Sequence, residues 1–300
     1  MADGPADAGT TASGTVDAVG SGLDRTRLQI RAEQFVRENR FTIAVVFPMM
    51  GALMLVGSAE GLVPGPLSFN PYLVLFGTAV MRLPLLVGVA PLVDRRSGAL
   101  IGTATVFSYA VEIVGVATGW PYGAFTYQVD LGPMISGVPL GLPVFYLPLV
   151  LNAYLLVLLL LGPAADRRLV RLPATLLAVV AVDLVLDPGA VAIGFWQYAA
   201  GGSYYGVPAS NYAGWVLSGL VTVTLLDLAI APAALRERLA ACEFVLDDLV
   251  SFVLLWGAIN AAYGNWLAVG IAAVFVGGLI RSGRFDFDVW RTAPGIPDRW

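Results

Sequence analysis

Four ionisable side chains lie inside otherwise apolar stretches of the sequence: Arg82, Glu112, Asp183 and Asp187. A charged group at mid-membrane opposes insertion by about 2.5–3.5 kcal/mol, so such residues are candidates for a functional site. Asp183 and Asp187 are spaced i, i+4 and share one helix face. A carboxylic acid shielded from water keeps its proton at neutral pH and can act as a general acid. These residues therefore predict proton transfer to an apolar substrate.

Residue depth predicts how these groups pair. At a rise of about 1.5 Å per residue, Arg82 and Asp183 fall near the bilayer midplane, and Glu112 and Asp187 about 6 Å further out. We therefore expect Arg82 to pair with Asp183, which leaves Glu112 and Asp187 close together, with at least one still protonated. The alternative is a buried ion-pair network that only fixes helix register. Three weaker candidates should make interhelical hydrogen bonds or lie near a span end: Asn152, Asn260 and Asp227.

Two segments dense in glycine, proline and aromatic residues flank these carboxyls: GWPYGAFTYQVDLGPMISGV at 119–138 and GGSYYGVPASNYAGW at 201–215. Interfacial aromatics commonly form a belt, but the added turn formers also predict an aromatic-lined cavity or a re-entrant cap. Asp187 precedes Pro188, so we expect a helix break there. An acid at a break beneath an aromatic cap suits an apolar substrate. The pattern favours Asp187 as the acid, with Glu112 orienting water or sharing the proton.

Short motifs, each weak alone, follow one another along residues 45 to 280. They are Glu112, Gly115, Gly119, Pro121-Tyr122-Gly123, Tyr127, Leu131-Gly132-Pro133, Gly137-Val138-Pro139, Asp183-Leu184, Leu186-Asp187-Pro188, Gly194-Phe195-Trp196, Tyr205-Gly206-Val207-Pro208, Asn211-Tyr212 and Gly214-Trp215. As an ordered set they resemble the membrane carotenoid hydratases. With its acidic, lysine-free composition the chain is most similar to the archaeal branch, which implies a fifty-carbon acyclic carotenoid as substrate. Phe145-Tyr146 depart from the family pattern, which has a tryptophan there.

The resemblance implies an enzyme that adds water across the terminal double bond or bonds of the carotenoid. The residues suit this chemistry, because a carboxylic acid can protonate the alkene and aromatic faces can stabilise the tertiary carbocation by about 2 kcal/mol or more. The remaining carboxylate stabilises the cation further and takes a proton from water. We expect no metal and no organic cofactor. The expected catalytic residues are Asp187, Glu112, Asp183 and Arg82, and the expected substrate-binding residues are Tyr122, Phe125, Tyr127, Phe195, Trp196, Tyr205, Asn211, Tyr212 and Trp215.

Composition excludes several other chemistries. The 300 residues are 58% hydrophobic and 13% charged, about half the charged fraction of a soluble domain, which predicts an integral membrane protein. The absence of His excludes imidazole ligation of haem or a di-iron centre, and the absence of Lys excludes a retinal or pyridoxal Schiff base. Cys242 alone forms no internal disulfide or thiolate metal site. The pI near 4.8 argues against nucleic acid as a partner.

Apolar runs and arginine positions predict the topology. Sixteen of the 17 arginines fall in alternate connecting segments or tails, and basic residues mark the cytoplasmic side. We therefore predict an all-α, multi-pass protein of the cell membrane with both termini cytoplasmic. The eight candidate spans are 41–58, 71–93, 98–118, 139–162, 170–191, 212–231, 245–263 and 266–281. The predicted regions are a disordered tail at 1–24, a basic interfacial helix at 25–40, a transmembrane domain at 41–281 and a cytoplasmic tail at 282–300.

Two other functions fit part of the pattern. Asp183 and Asp187 form D-x-x-x-D, as in membrane polyprenyl transferases, which hold a diphosphate through magnesium between two acidic motifs. The second motif is missing, because Asp247 and Asp248 stand alone at the cytoplasmic end of a span. A proton-coupled transporter would use the buried acids as a relay and show inverted repeats and broken helices. The hydratase hypothesis predicts the carotenoid and the lipid bilayer as partners, together with other carotenoid-biosynthesis membrane enzymes, and no nucleic acid.

Overall fold

The structure is a computed structural model that describes residues 26–286, so the predicted tail at 1–24 and the end of the chain from 287 lie outside the described residues. A helix at 26–38 precedes the numbered elements. In chain order these are α1 (Thr42–Ala59), α2 (Pro71–Val89), α3 (Arg95–Thr118), β1 (Phe125–Tyr127), β2 (Met134–Ile135), β3 (Val138–Pro139), α4 (Leu142–Leu161), α5 (Arg168–Ala192), β4 (Trp196–Tyr198), α6 (Ala209–Ala229), α7 (Pro232–Ala241), α8 (Asp247–Ala262) and α9 (Trp266–Arg281).

Helices α1 to α6, with the short turns that extend α2 and α4, are 18 to 25 residues long and apolar enough to cross a membrane. A bilayer crossing needs about 20 apolar residues, so the predicted helical membrane fold is confirmed. Helices α8 and α9 have 16 residues each, which is short for a crossing. The count of eight spans therefore stays a prediction.

Capping residues fix where the long helices begin and end. The Asn70 side chain accepts hydrogen bonds from the N–H groups of the first turn of α2, and Asp94 caps α3 in the same way. Gly119 ends α3 in the left-handed conformation, with φ 76°, which glycine adopts without a Cβ penalty. Helix α3 thus runs from Arg95 to the segment that holds strand β1. We call the end of the bundle at Arg95 the arginine end and the opposite end, at β1, the ribbon end.

Helix α5 continues through Pro188 to Ala192, so the predicted helix break at Asp187-Pro188 is wrong. Proline removes the N–H that would bond the carbonyl four residues earlier, which here belongs to Leu184. The Tyr204 hydroxyl donates to that carbonyl at 3.1 Å. The Asn260 amide also donates to the Val185 carbonyl at 2.8 Å. These side-chain donors satisfy the backbone around Pro188 and keep the helix continuous.

Strands β1 and β4 form a two-stranded antiparallel ribbon that joins the segment after α3 to the segment after α5. In its register Phe125 lies opposite Tyr198 and Tyr127 lies opposite Trp196. Because side chains alternate along a strand, these four aromatic rings share one face of the ribbon, and all four line an internal cavity. The predicted aromatic cap over a cavity is thus a short β-ribbon. Strands β2 and β3 form a second antiparallel pair.

Helix α8 lies among α1, α2, α5 and α9, and most of its side chains are buried. The helix at 26–38 packs onto the arginine end, where Val36 is 1% exposed. Just beyond that helix, Arg40 forms a buried ion pair with Asp247 at 2.7 Å. Leu28 and Phe35 on the same helix remain exposed. The proposed contact of this helix with a membrane surface remains a prediction.

Candidate active site

The internal cavity measures about 180 Å³ and lies below the inner face of the ribbon. Its walls come from the six long helices, from α8 and from the ribbon, so almost every element of the bundle contributes. Most lining residues are apolar or aromatic, and the polar ones include Glu112, Asp187 and Asn211. An apolar cavity of about 150 Å³ can hold benzene. The space here therefore fits one branched end of a long hydrocarbon rather than the whole chain.

Asp183 and Asp187 form a buried carboxyl pair on α5. The two residues are 0% and 2% exposed, and Asp183 Oδ1 is buried without a hydrogen-bond partner among the described residues. The Asn211 amide of α6 bridges them, at 2.8 Å from Asp183 Oδ2 and 2.6 Å from Asp187 Oδ2. Asp187 Oδ2 also accepts a hydrogen bond from the Tyr198 hydroxyl at 2.7 Å. Asp187 faces the cavity, and Asp183 lies behind it, outside the cavity wall.

Glu112 on α3 is the second carboxyl of the cavity wall. It accepts a hydrogen bond from the Tyr127 hydroxyl at 2.6 Å. Glu112 and Asp187 line the same cavity. The structure thus brings the two carboxyls to one site, as the depth argument predicts. They reach the cavity from two different helices, so a substrate group can lie against both.

Arg82 does not pair with Asp183, so that prediction is wrong. Its guanidinium donates to Asp248 Oδ1 at 2.5 Å and to the Val144 carbonyl at 3.3 Å. The amide of Asn152 donates to the other oxygen of Asp248 at 2.7 Å. Depth along a helix says nothing about direction around it, and α2 packs against α8 and α4. The compensating carboxylate for Arg82 therefore comes from α8.

Asp247 pairs with Arg40 and Asp248 pairs with Arg82. Each carboxylate is thus engaged by a buried arginine. The weaker polar candidates make interhelical contacts as predicted: Asn152 with Asp248, Asn260 with the Val185 carbonyl, and Asp227 with Tyr154 and Arg171.

Most of the predicted substrate-binding residues line the cavity, namely Tyr122, Phe125, Tyr127, Phe195, Trp196, Asn211 and Trp215. Tyr205 and Tyr212 are located elsewhere. The Tyr205 ring packs on Tyr204 at a centroid distance of 4.9 Å, and its hydroxyl accepts from the Leu267 N–H. The Tyr212 ring also packs against Tyr204, at 5.9 Å. These two residues support the wall from outside.

Two glycines make room for the Tyr122 ring between α3 and α6. A Cβ at Gly214 would lie 2.3 Å from the ring, and a Cβ at Gly115 would lie 2.9 Å from it. Both distances are shorter than any tolerable carbon contact, so only glycine fits at these positions while Tyr122 stays in place. Tyr122 is 7% exposed. The glycines therefore set the position of one aromatic wall.

Some site residues were not predicted from the sequence. Tyr198 donates directly to Asp187, and Phe145, Tyr146 and Trp256 line the cavity. Tyr198 could have been found, because it lies two residues after Trp196 and so shares its strand face. Trp256 carries no comparable local signal, since its place in the wall depends on how α8 packs in the bundle.

The arrangement is suited to acid chemistry on a hydrocarbon. Two carboxyls from different helices line one space whose walls are mostly apolar or aromatic. Aromatic faces attract cations most strongly when both partners are shielded from water. Two carboxyl groups and a wall that can stabilise a cation are thus combined in one cavity. Within residues 26–286, no group of three or more His, Cys, Asp or Glu side chains is arranged to hold a metal ion.

Comparison with known proteins agrees with this chemistry. Residues 69–279 match the family model described as "Carotenoid biosynthesis protein". A relative from Haloarcula japonica, bisanhydrobacterioruberin hydratase, is 60% identical over 289 residues, which cover 92% of this chain and 98% of the relative. No solved structure matches the chain.

Proposed function

The chain belongs to the family of carotenoid biosynthesis proteins, and we propose that it is a carotenoid hydratase. It adds water across the terminal double bond of an acyclic carotenoid, and its substrate is the fifty-carbon bisanhydrobacterioruberin for which the Haloarcula relative is named. The observation that carries this proposal is the pair of carboxyls, Glu112 and Asp187, that face one aromatic cavity.

Asp187 is the proton donor. It keeps a proton at rest because Asp187, Asp183 and Glu112 lie in largely apolar surroundings, where charges of like sign disfavour one another. Arg82, which also lines the cavity, is engaged by Asp248. The proton of Asp187 forms a C–H bond at the less substituted alkene carbon, and the π electrons of the double bond supply the electron pair. The other alkene carbon becomes a tertiary cation.

Water completes the reaction at that cation. Its oxygen forms the C–O bond, and one of its protons passes to Glu112. The proton then moves from Glu112 to Asp187, which restores the starting state, so the net change is one water added per double bond. The rings of Phe125, Trp196 and Trp215 in the wall stabilise the cation. Each step uses side chains of this protein, and no cofactor takes part.

The cavity accepts one end of the carotenoid, and the remaining polyene lies among the lipid chains outside. Because a space of about 180 Å³ holds little more than a small aromatic molecule, the two ends of one carotenoid react in separate binding events. Association with other membrane enzymes of carotenoid biosynthesis would deliver this water-insoluble substrate.

The protein crosses the cell membrane eight times, with both termini in the cytoplasm. Arginines concentrate at one end of the bundle, where α3 and α5 begin, as cytoplasmic loops do. Cys242 is 1% exposed and is a poor reporter, so the test uses a Cys242→Ser background. A thiol at Ser203 should react with an impermeant reagent in intact cells, and one at Ala240 should not. Labelling at Ala240 and not at Ser203 would show the opposite orientation in the membrane.

The activity is tested by expressing the full chain in cells that accumulate the unhydrated carotenoid and measuring pigment masses. A gain of one or two waters per molecule supports the proposal. The same cells without the chain serve as the control for background hydration. An unchanged pigment profile in cells that contain the folded protein would refute the proposed function.

A further inference from the structure

The inner face of the ribbon carries two hydroxyl groups, and each is engaged by a different carboxyl of the cavity. Tyr198 on β4 donates to Asp187 at 2.7 Å, and Tyr127 on β1 donates to Glu112 at 2.6 Å. The two tyrosines lie on opposite strands of one antiparallel pair, two residues apart in register. The ribbon therefore sets the positions of both carboxyls at once, although they belong to separate helices.

Neither hydroxyl is free to bind a substrate, because both point to carboxylate oxygens. Burial, together with the nearby Asp187, raises the pKa of Tyr198 far above its ordinary value. Burial and the neighbouring Glu112 likewise raise the pKa of Tyr127 well above its ordinary value. Both tyrosines thus keep their protons and act only as donors. A donor to a carboxyl group stabilises its charged form.

We propose that Tyr198 and Tyr127 are positioning residues, each for one carboxyl. The Tyr198 hydroxyl orients the proton donor Asp187, and the Tyr127 hydroxyl orients the water-activating Glu112. The proposal rests on the proposed hydratase function. Asp187 has two neutral donors, Tyr198 and Asn211, on one oxygen, which stabilise the carboxylate formed when its proton leaves. Among the hydrogen bonds of the described residues, Glu112 accepts only from Tyr127, through Oε1, so its other oxygen can accept the proton of water.

Pairing of the two strands gives the active site a rigid support for both tyrosines. Backbone pairing of Phe125–Tyr127 with Trp196–Tyr198 fixes two side chains relative to one another more tightly than two separate loops could. The outward residues of the ribbon, Thr126 and Gln197, are exposed. The ribbon is thus a two-faced layer that holds the carboxyls on its inner side and meets polar surroundings on its outer side.

The test compares three isosteric variants of the full-length protein in detergent: Tyr198→Phe, Tyr127→Phe and Tyr154→Phe. Tyr154 is the matched control, because its hydroxyl donates to Asp227 at 2.7 Å outside the cavity. We expect Tyr198→Phe and Tyr127→Phe each to lower kcat by about 10- to 100-fold, the range for one hydrogen bond to a charged group. KM should stay unchanged, and Tyr154→Phe should keep wild-type kcat and KM.

The pH–rate profile separates a positioning role from a structural one. Asp187 is faced by Asp183, Asn211, Tyr198 and Glu112, and Glu112 by Tyr127 and Asp187. Loss of a donor favours the neutral carboxyl, and the acid must be protonated and the base ionised. The alkaline limb of the pH–rate profile should therefore move to higher pH in Tyr198→Phe. The acid limb should move to higher pH in Tyr127→Phe.

Three results would overturn the inference while leaving the hydratase intact. They are wild-type kcat in both ribbon variants, a shift of the same limb in both, or a rise in KM with kcat unchanged. Thermal midpoints in detergent, compared with the wild type, show whether each variant is folded. Failure of the hydratase proposal itself is distinguishable, because the wild-type protein would then form no hydrated product.

Discussion

The ion pair between Arg82 and Asp248 predicts a difference in stability between two single substitutions. The Asp248 side chain is 0% exposed and that of Arg82 is 8% exposed, so Asp248→Asn leaves a guanidinium uncompensated inside the bundle. Breaking a buried pair in this way costs about 3–5 kcal/mol. Asp183→Asn should cost far less, because Asp183 accepts from the neutral Asn211 amide and forms no ion pair among the described residues.

The stability of the variants is compared by thermal denaturation in one detergent. The signal is the loss of monodisperse protein with rising temperature. The double variant Arg82→Met with Asp248→Leu tests the pair directly, since an apolar pair of similar volume is often neutral or stabilising. It should recover most of the stability that Asp248→Asn loses. The reasoning would be refuted if Asp183→Asn destabilised the protein as much as Asp248→Asn, or if the double variant were the least stable of the three.

Other predictions address the chemistry and the cavity. Asp187→Asn and Glu112→Gln should each fold normally and lose at least about 10²-fold in turnover, the lower range for general acid–base catalysis; near-normal turnover in a folded variant would exclude that residue. Gly214→Ala should displace Tyr122 and cost about 1–3 kcal/mol from overpacking, whereas Gly102→Ala, which meets nothing within 4 Å, should leave stability unchanged or raise it by up to about 1 kcal/mol in the same thermal assay. A time course should show the product with one added water before the product with two, and simultaneous appearance would contradict a cavity for one end.

The sequence was sufficient to find the carboxyls but not all of their partners. Glu112, Asp183 and Asp187 stand out because charged residues are rare in apolar runs, and helix rise places Glu112 and Asp187 at one depth. Depth is only one coordinate, however. The partner of Arg82 depends on which helix packs beside α2, and that is decided by the whole bundle. For this reason depth alone predicts Asp183 as the partner of Arg82, whereas the structure has Asp248.

Long-range contacts also account for the other differences. Pro188 alone predicts a break, but Tyr204 and Asn260 from distant segments satisfy the carbonyls around it, so the helix continues. The aromatic segments predicted a cap of some kind. Its form as a β-ribbon depends on pairing between Phe125–Tyr127 and Trp196–Tyr198, which are about seventy positions apart and short enough to lack a strand pattern of their own.

The central claim is that a carboxylic acid protonates an alkene and that water supplies the oxygen. The most direct measurement is the mass of the product formed by the full-length protein in deuterated water enriched in heavy oxygen. For each hydrated end, we predict one deuterium on the carbon next to the new carbinol and one heavy oxygen in the hydroxyl group. The same product should form without dioxygen. Oxygen incorporated from dioxygen, or a hydroxyl group without the adjacent deuterium, would contradict the account.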